Sequence, residues 1–421
     1  MELSDAQILE AIRGQYKLSF MQIELSFPLK YDISSDEIDN YSDKDFGTFI
    51  HEYIHFLQNI STPWGLYNSM VKYEKISQEY AFLQSNYKND IRIPLAVPYT
   101  DSLTSRMTRQ YITLGRWDKY PSKITVDENL PISLNDQTIS VKGVVESMKM
   151  LSFTDVAGRK YDVPLGAWVI MESMTAIFQE FIDSSSMNVH SDVPYNIVSK
   201  YIRQNYPALS DDKAKLVALL YSSLFSINPG LLFSERLEYA NQHLERTATQ
   251  LFDDLINRSS IRTEDEDMDV RSFFDEIVSR FCIILKKLLQ IDLDYISEVL
   301  NRVNIRNGFV PIVTIISDGH FDRDRAKKLV QYLGLPYVYS KLGGVIYPNS
   351  IVNPDEYSKD IIALIGTSAV SYIINTGTCE LAFSCQKGEN TKPECKTTPW
   401  KGEQCPITVA SQIWHDEQME K

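Results

Sequence analysis

Histidine and cysteine are scarce in this sequence, and acidic residues outnumber basic ones. The 421 residues include six His and five Cys, and 42 Lys and Arg stand against 56 Asp and Glu, for a net charge of −14. Proteins that bind a nucleic-acid backbone concentrate positive charge, so this composition argues against nucleic acid as a partner. So few cysteines, four of them close together, favour thiols or metal ligands over a disulfide framework.

The sequence also predicts neither a membrane span nor a secretory signal. The longest uncharged run, Leu216–Ser234, contains Asn228, Pro229 and Gly230, which predict the end of a buried helix and not a membrane span. The first residues, MELSDAQILEAIRG, do not have the basic stretch and apolar core of a secretory signal. We therefore expect a cytoplasmic protein that has no membrane as a partner.

Enough apolar sequence is present for a large folded protein. Hydrophobic residues make up 43% of the chain and mostly follow helical spacing, so we expect a mainly α fold with minor β, of the α+β class. The acidic run Glu264–Asp267 is typical of a solvated linker and predicts two lobes, 1–260 and 270–421. Further predicted elements are a strand within 18–27, helices at about 164–183, 193–205, 211–227, 230–252, 273–288 and 323–333, a strand at 311–316, and hairpins and loops over 90–160.

One short segment, HEYIH, holds two of the six histidines. His51 and His55 lie four positions apart in an apolar helical pattern that begins after a cap at Ser42 and stops at Pro63. Residues four apart share one face of a helix, so both imidazoles can reach one ion. Glu52 lies one step round the helix, where it can contact a water on that ion. This is the geometry of the H-E-x-x-H zinc motif; the alternative is a pair of buried histidines on an ordinary helix.

A catalytic zinc usually has three protein ligands and one water, so a third ligand is needed. Glu172 is the best candidate, because it is the lone charge in Leu165–Phe178, a predicted helix with apolar side chains on every face. An unpaired carboxylate there costs on the order of several kcal/mol, a penalty that a metal ion removes. Alternatively, Glu172 pairs with a buried Arg or Lys, or is protonated. Weaker candidates for the third ligand are Glu180, Glu235, Glu238, His190 and His243.

HEYIHFLQ followed by a helix with E-x-x-x-A resembles the gluzincin group of zinc metallopeptidases, of which thermolysin-like enzymes are members. The resemblance covers these two helices. It implies a zincin-like helical catalytic core within residues 1–260 and a Zn²⁺ cofactor. It further implies that His51, His55 and Glu172 are the zinc ligands and that Glu52 is the general base.

Two departures from the gluzincin pattern have structural consequences. His55 and Glu172 are 172 − 55 = 117 positions apart, which implies an inserted, β-rich subdomain at about 61–160. Ala176 stands where the family has an acid four residues after the third ligand. The carboxylate that orients a zinc histidine must therefore come from elsewhere or be absent.

The resemblance implies that a metal-activated water hydrolyses peptide bonds in a peptide or protein substrate. A Tyr or His usually stabilises the oxyanion, and His190 and Tyr195 follow the predicted Glu172 helix. Two other functions stay open: a non-catalytic binding, scaffold or sensor protein with a zincin-like site, and a zinc hydrolase of a non-peptide amide. Glu52 favours an enzyme, because a structural site has no use for a carboxylate beside its first ligand. The sequence identifies neither the substrate, nor endo- or exopeptidase action, nor a regulatory partner.

A second candidate metal site lies near the C-terminus. Cys379, Cys385, Cys395 and Cys405 fall in a stretch rich in Gly, Pro, Lys and Thr, which cannot build a core of its own. Four thiolates around a structural zinc would supply the missing stability. The stretch contains no C-x-x-C, so free thiols and disulfides stay as alternatives. Cys282, on a predicted helix, is expected in the core.

Overall fold

The structure of the protein is a computed structural model. It describes residues 14–17, 21–33, 35–86, 94, 96–116, 120–121, 123–186, 190–262, 267–304, 310–346, 348–349 and 356–376. The predicted cysteine site (Cys379, Cys385, Cys395 and Cys405) lies outside the described residues, so it stays a prediction.

Short strands and longer helices alternate along the chain. The strands are β1 Gly14–Lys17, β2 Gln22–Leu25, β3 Ser133–Val141, β4 Val144–Thr154, β5 Lys160–Pro164, β6 Ser260–Arg262, β7 Asp267–Asp269, β8 Tyr337–Ser340 and β9 Val345–Ile346. The helices are α1 Asp43–Ser61, α2 Pro63–Asn86, α3 Asp101–Leu114, α4 Ala167–Ile182, α5 Asp192–Tyr195, α6 Ile197–Asn205, α7 Pro207–Ser210, α8 Lys213–Ser223, α9 Pro229–Gln242, α10 Ala248–Asn257, α11 Val270–Leu289, α12 Asp294–Arg302, α13 Pro311–Thr314, α14 Arg323–Leu333 and α15 Lys359–Thr376. The predicted class, mainly α with minor β, is confirmed.

Three predicted regions differ from the structure. The strand predicted over 311–316 is wrong: Pro311 opens the short helix α13, where its missing N–H is not needed. A brief apolar run has no periodicity that separates a strand from a buried helix. The helix predicted over 230–252 is two helices, because Thr247 and Gln250 form a capping box that starts α10. The region predicted as hairpins and loops also contains α3, which sequence analysis did not predict.

Helix α1, which carries the H-E-x-x-H segment, has the predicted limits. The Ser42 hydroxyl accepts a hydrogen bond from the Asp45 N–H at 3.1 Å and caps the first turn, and Thr62 ends the helix in extended backbone. Every residue from Phe46 to Ser61 is buried. The helix is therefore enclosed on all sides, and the face that carries the two histidines is covered as well.

Helix α4, which carries Glu172, packs against α1. Its start is held by close backbone packing: a Cβ placed on Gly166 would lie 2.5 Å from the Leu114 carbonyl oxygen, so only glycine fits there. The stretch between α1 and α4 contains α2, α3 and an antiparallel sheet in the order β3-β4-β5. Helices α1 and α4 are in contact although this stretch separates them in the sequence.

A second sheet joins the first two strands of the chain to the two strands that follow α14. Its order is β1-β2-β8-β9, and β2 pairs with β8 in parallel, with Ile23 opposite Val338. Hydrophobic residues from both sides of residue 260 belong to one continuous core. The division into two lobes stays a prediction. In the described part of the chain, none of the helices combines the length and the apolar character needed to cross a membrane.

Candidate metal centre

Three side chains converge between α1 and α4. Glu172 Oε2 is 3.2 Å from His51 Nε2 and 3.4 Å from His55 Nε2. One ligand atom of each residue lies within 4.8 Å of the other two, a span that a single ion can bridge. Among the described residues, this is the one group of three His, Cys, Asp or Glu side chains with such spacing. The structure thus brings together the three residues predicted as zinc ligands.

The alternative to a ligand role for Glu172 was an ion pair with a buried Arg or Lys. Its carboxylate lies beside two histidines, not beside an Arg or Lys. Its side chain is 18% exposed, whereas His51 and His55 are almost fully enclosed. The group is therefore held inside the protein, and Glu172 is its most exposed member.

Two glutamines fix the orientation of the histidines. Gln179 Oε1 is 3.0 Å from Nδ1 of His51, and Gln58 Oε1 is 2.8 Å from Nδ1 of His55. The Gln58 amide nitrogen donates to the Met171 carbonyl at 3.0 Å, which turns its oxygen toward His55. An amide oxygen only accepts hydrogen bonds, so each Nδ1 carries the proton and each Nε2 faces the shared centre.

Electrostatics in the group favour a cation. Burial raises the pKa of Glu172, but the charges of His55 and His51 and their hydrogen bonds outweigh burial and hold that pKa well below its usual range. For His55 the directions are reversed: burial lowers its pKa, but the adjacent Glu172 carboxylate outweighs burial and raises this pKa to about 9. Without a metal, a proton on His55 balances the charge of Glu172. A divalent cation can replace that proton, because it binds the same atoms.

Glu52, on helix α1, is buried against strand β1. Its carboxylate accepts a hydrogen bond from the Tyr16 backbone N–H, and a Cβ placed on Gly14 would lie 2.8 Å from Glu52 Cγ. Burial is the largest influence on Glu52 and raises its pKa, against the lowering charges of His51 and His55. A carboxylate with a raised pKa is a stronger base than an ordinary surface glutamate.

Both residues proposed from sequence as oxyanion stabilisers lie beside the group. The Tyr195 ring centroid is 5.8 Å from that of His51, and the His190 centroid is 6.5 Å from it. The charge of Glu172, followed by burial and Glu52, raises the pKa of Tyr195, so its hydroxyl stays protonated. Burial, followed by the charge of His51, lowers the pKa of His190 to about 4, so its imidazole is neutral. Tyr195 is thus a hydrogen-bond donor at neutral pH.

Comparisons with protein-family models, with curated proteins and with solved structures found no match.

The weaker candidates for the third ligand lie outside the group. Glu180, on the far turns of α4, pairs with Lys213 at 2.9 Å. Glu235 and Glu238 are exposed on α9, and Nδ1 of His243 lies 2.9 Å from the Tyr239 carbonyl oxygen. Sequence reasoning did not find the two orienting glutamines. A signal was present for one of them, since Gln179 follows Glu172 by seven positions, two helical turns on the same face.

Proposed function

We propose that the protein is a zinc-dependent metallopeptidase. The observation that carries the proposal is the convergence of His51, His55 and Glu172, with their ligand atoms within 4.8 Å of one another. Two histidines and a carboxylate are the donor set of the thermolysin type of catalytic zinc site. The glutamines on both histidines supply the orienting contacts that such a site needs.

The protein residues divide the chemistry among them. When bound, zinc lowers the pKa of a coordinated water and polarises the substrate carbonyl. Glu52 accepts the proton of the attacking water and delivers it to the leaving amine. The Tyr195 hydroxyl donates a hydrogen bond to the oxyanion that develops on the carbonyl oxygen. Gln58 and Gln179 hold the imidazoles of His55 and His51 in place throughout.

Strand β1 supports a peptide as the substrate. In the described part of the chain it is the terminal strand of its sheet, and its backbone reaches Glu52 through Tyr16. An extended peptide can bind to a terminal strand by main-chain hydrogen bonds. Such a strand offers no comparable support for a small non-peptide amide.

The test compares wild type with Glu52→Gln and with Glu180→Gln. Glu180→Gln is the matched control, because Glu180 lies on α4 but is paired with Lys213 outside the group. Each protein is loaded with zinc, its metal content is measured, and it is incubated with a peptide library that is read by mass spectrometry. We expect equal zinc in all three, cleavage by wild type and Glu180→Gln, and a loss of about 10²-fold or more in Glu52→Gln.

The other functions give different results in this test. A binding, scaffold or sensor protein retains zinc but cleaves no peptide in any form. A hydrolase of non-peptide amides likewise leaves the library intact, and then cleaves small amide substrates in wild type but not in Glu52→Gln. Equal cleavage by wild type and Glu52→Gln would show that the activity does not come from this site.

A further inference from the structure

Arg116 leaves helix α3 next to the start of α4, the helix that carries Glu172. Gly115 ends α3 in the left-handed conformation, with φ of 71°. A Cβ placed on Gly115 would lie 3.1 Å from Gly166 Cα, at the N-terminal end of α4. The backbone that leads into Arg116 is therefore packed against the first turn of α4 and fixes where this side chain emerges.

The guanidinium group of Arg116 lies on the same face of α4 as the candidate zinc ligand. Its Cζ atom is 6.0 Å from the centroid of the Trp168 ring. Trp168 and Glu172 are four residues apart on α4, so their side chains are neighbours on one face, about one turn apart. Contact with the indole restrains the arginine and leaves the edge of its guanidinium free to donate hydrogen bonds.

The charge of Arg116 reaches the candidate metal centre. It lowers the pKa of Tyr195, against the larger raising effects of the Glu172 charge and of burial. The Tyr195 ring is 5.8 Å from the His51 ring. Arg116 thus adds a positive charge near Tyr195, which lies beside the candidate metal centre.

Among the described residues, none forms an ion pair with Arg116. Arg116 is exposed and makes no hydrogen bond or ion pair in the described part of the chain, apart from its contact with Trp168. The two preceding arginines differ from it: Arg106 pairs with Glu74, and Arg109 pairs with Glu146. An exposed arginine held against an aromatic ring, with a free planar fork, matches the geometry of a carboxylate.

We propose that Arg116 binds a substrate carboxylate beside the metal centre, so that the substrates are peptides with a carboxylate next to the cleaved bond. The inference rests on the proposed peptidase function and names its substrate class. That carboxylate is either the free C-terminus, which makes the enzyme a carboxypeptidase, or the side chain of an Asp or Glu. Arg116 is then a specificity residue, and the chemistry stays with Glu52.

The first experiment separates the two sources of the carboxylate. Three peptide libraries are compared: one with free C-termini, the same library with amidated C-termini, and an amidated library that also lacks Asp and Glu. If the free C-terminus is bound, amidation abolishes cleavage. If an acidic side chain is bound, cleavage persists after amidation, occurs next to Asp or Glu, and is lost in the third library. Equal cleavage of all three libraries would overturn the proposal.

The variants are Arg116→Gln, Arg116→Lys and the control Arg258→Gln. Arg258 is also exposed and also lies over an aromatic ring, at 4.5 Å from the centroid of Tyr239. For a preferred peptide, we expect Arg116→Gln to raise KM about 10- to 100-fold with little change in kcat. Arg116→Lys keeps the charge and recovers part of this loss, and Arg258→Gln behaves as wild type. An unchanged KM in Arg116→Gln would overturn the proposal.

A binding measurement makes failure of this inference distinguishable from failure of the proposed function. Zinc-loaded protein is titrated with a thiol-bearing N-acyl amino acid and with its amide, which share the zinc-binding thiol. We expect the carboxylate form to bind wild type at least tenfold more tightly, and Arg116→Gln to lose this preference. Equal binding of both compounds to wild type overturns the role of Arg116 and leaves the metal centre intact. No zinc retained, or no thiol binding, overturns both proposals.

Discussion

Zinc binding to this site should depend steeply on pH, because a proton and the metal compete for the same atoms. The Glu172 carboxylate raises the pKa of His55 to about 9, despite burial. At pH 7 the metal-free protein therefore carries a proton on His55, and zinc must displace it. The expected result is tighter zinc binding at higher pH, up to about pH 9, with one proton released per zinc at pH 7.

The magnitude follows from the gap between the pKa and the working pH. A pKa of about 9 at pH 7 is a gap of roughly two units, so protonation weakens zinc binding about 100-fold, or about 3 kcal/mol. At pH 8 the same competition costs about tenfold. Zinc affinity should thus rise about tenfold per pH unit between 7 and 9 and then level off.

Competition with a chelator of known affinity measures this dependence, and calorimetry in two buffers of different ionisation heat counts the released protons. Glu172→Gln is the informative control. Without the carboxylate, the largest influence that raises the pKa of His55 is gone while burial still lowers it, so this variant should release fewer protons and show a shallower profile than wild type. Its affinity at pH 9 should be below that of wild type, since a charged ligand is lost. A wild-type affinity that is constant from pH 7 to 9, with no proton released, would refute the reasoning.

Three further predictions concern the surroundings of the site. Replacing Gln58 or Gln179 by Leu should weaken zinc binding about 10- to 100-fold with the fold retained, as chelator competition and circular dichroism can check; unchanged affinity would contradict an orienting role. Because the pKa of His55 is raised above its unfolded value of about 6.5, its stabilising effect on the metal-free protein is fully present below pH 6.5 and lost as pH rises through about 9. The urea concentration at the unfolding midpoint, measured with excess chelator, should therefore fall between pH 6.5 and about 9. A midpoint that does not change with pH would contradict this effect of His55. Gly14→Ala should lower the free energy of unfolding by about 1–3 kcal/mol in denaturant titrations, because its Cβ would meet Glu52 Cγ at 2.8 Å; wild-type stability would show that β1 moves aside easily.

Local sequence determined the helix that carries the two histidines. The Ser42 cap, the spacing of the apolar residues and the stop before Pro63 specify α1, and the structure has these limits. Helical geometry then places His51 and His55 on one face without reference to the rest of the chain. The lone charge in the apolar segment also singled out Glu172, because burying an unpaired carboxylate carries a penalty that calls for a partner.

Only the tertiary structure decided what meets this pair of histidines. Glu172 and His51 are 121 positions apart, and their 3.2 Å approach depends on the packing of α4 against α1. The same packing selects Gln179 as the partner of His51 and brings Tyr195 beside the His51 ring. The parallel pairing of β2 with β8, which encloses α1, joins residues more than 300 positions apart. Apolar periodicity and helix caps act over a few residues, whereas these contacts depend on how the whole core packs. A pattern within one segment of the sequence therefore does not predict which distant segment packs against it.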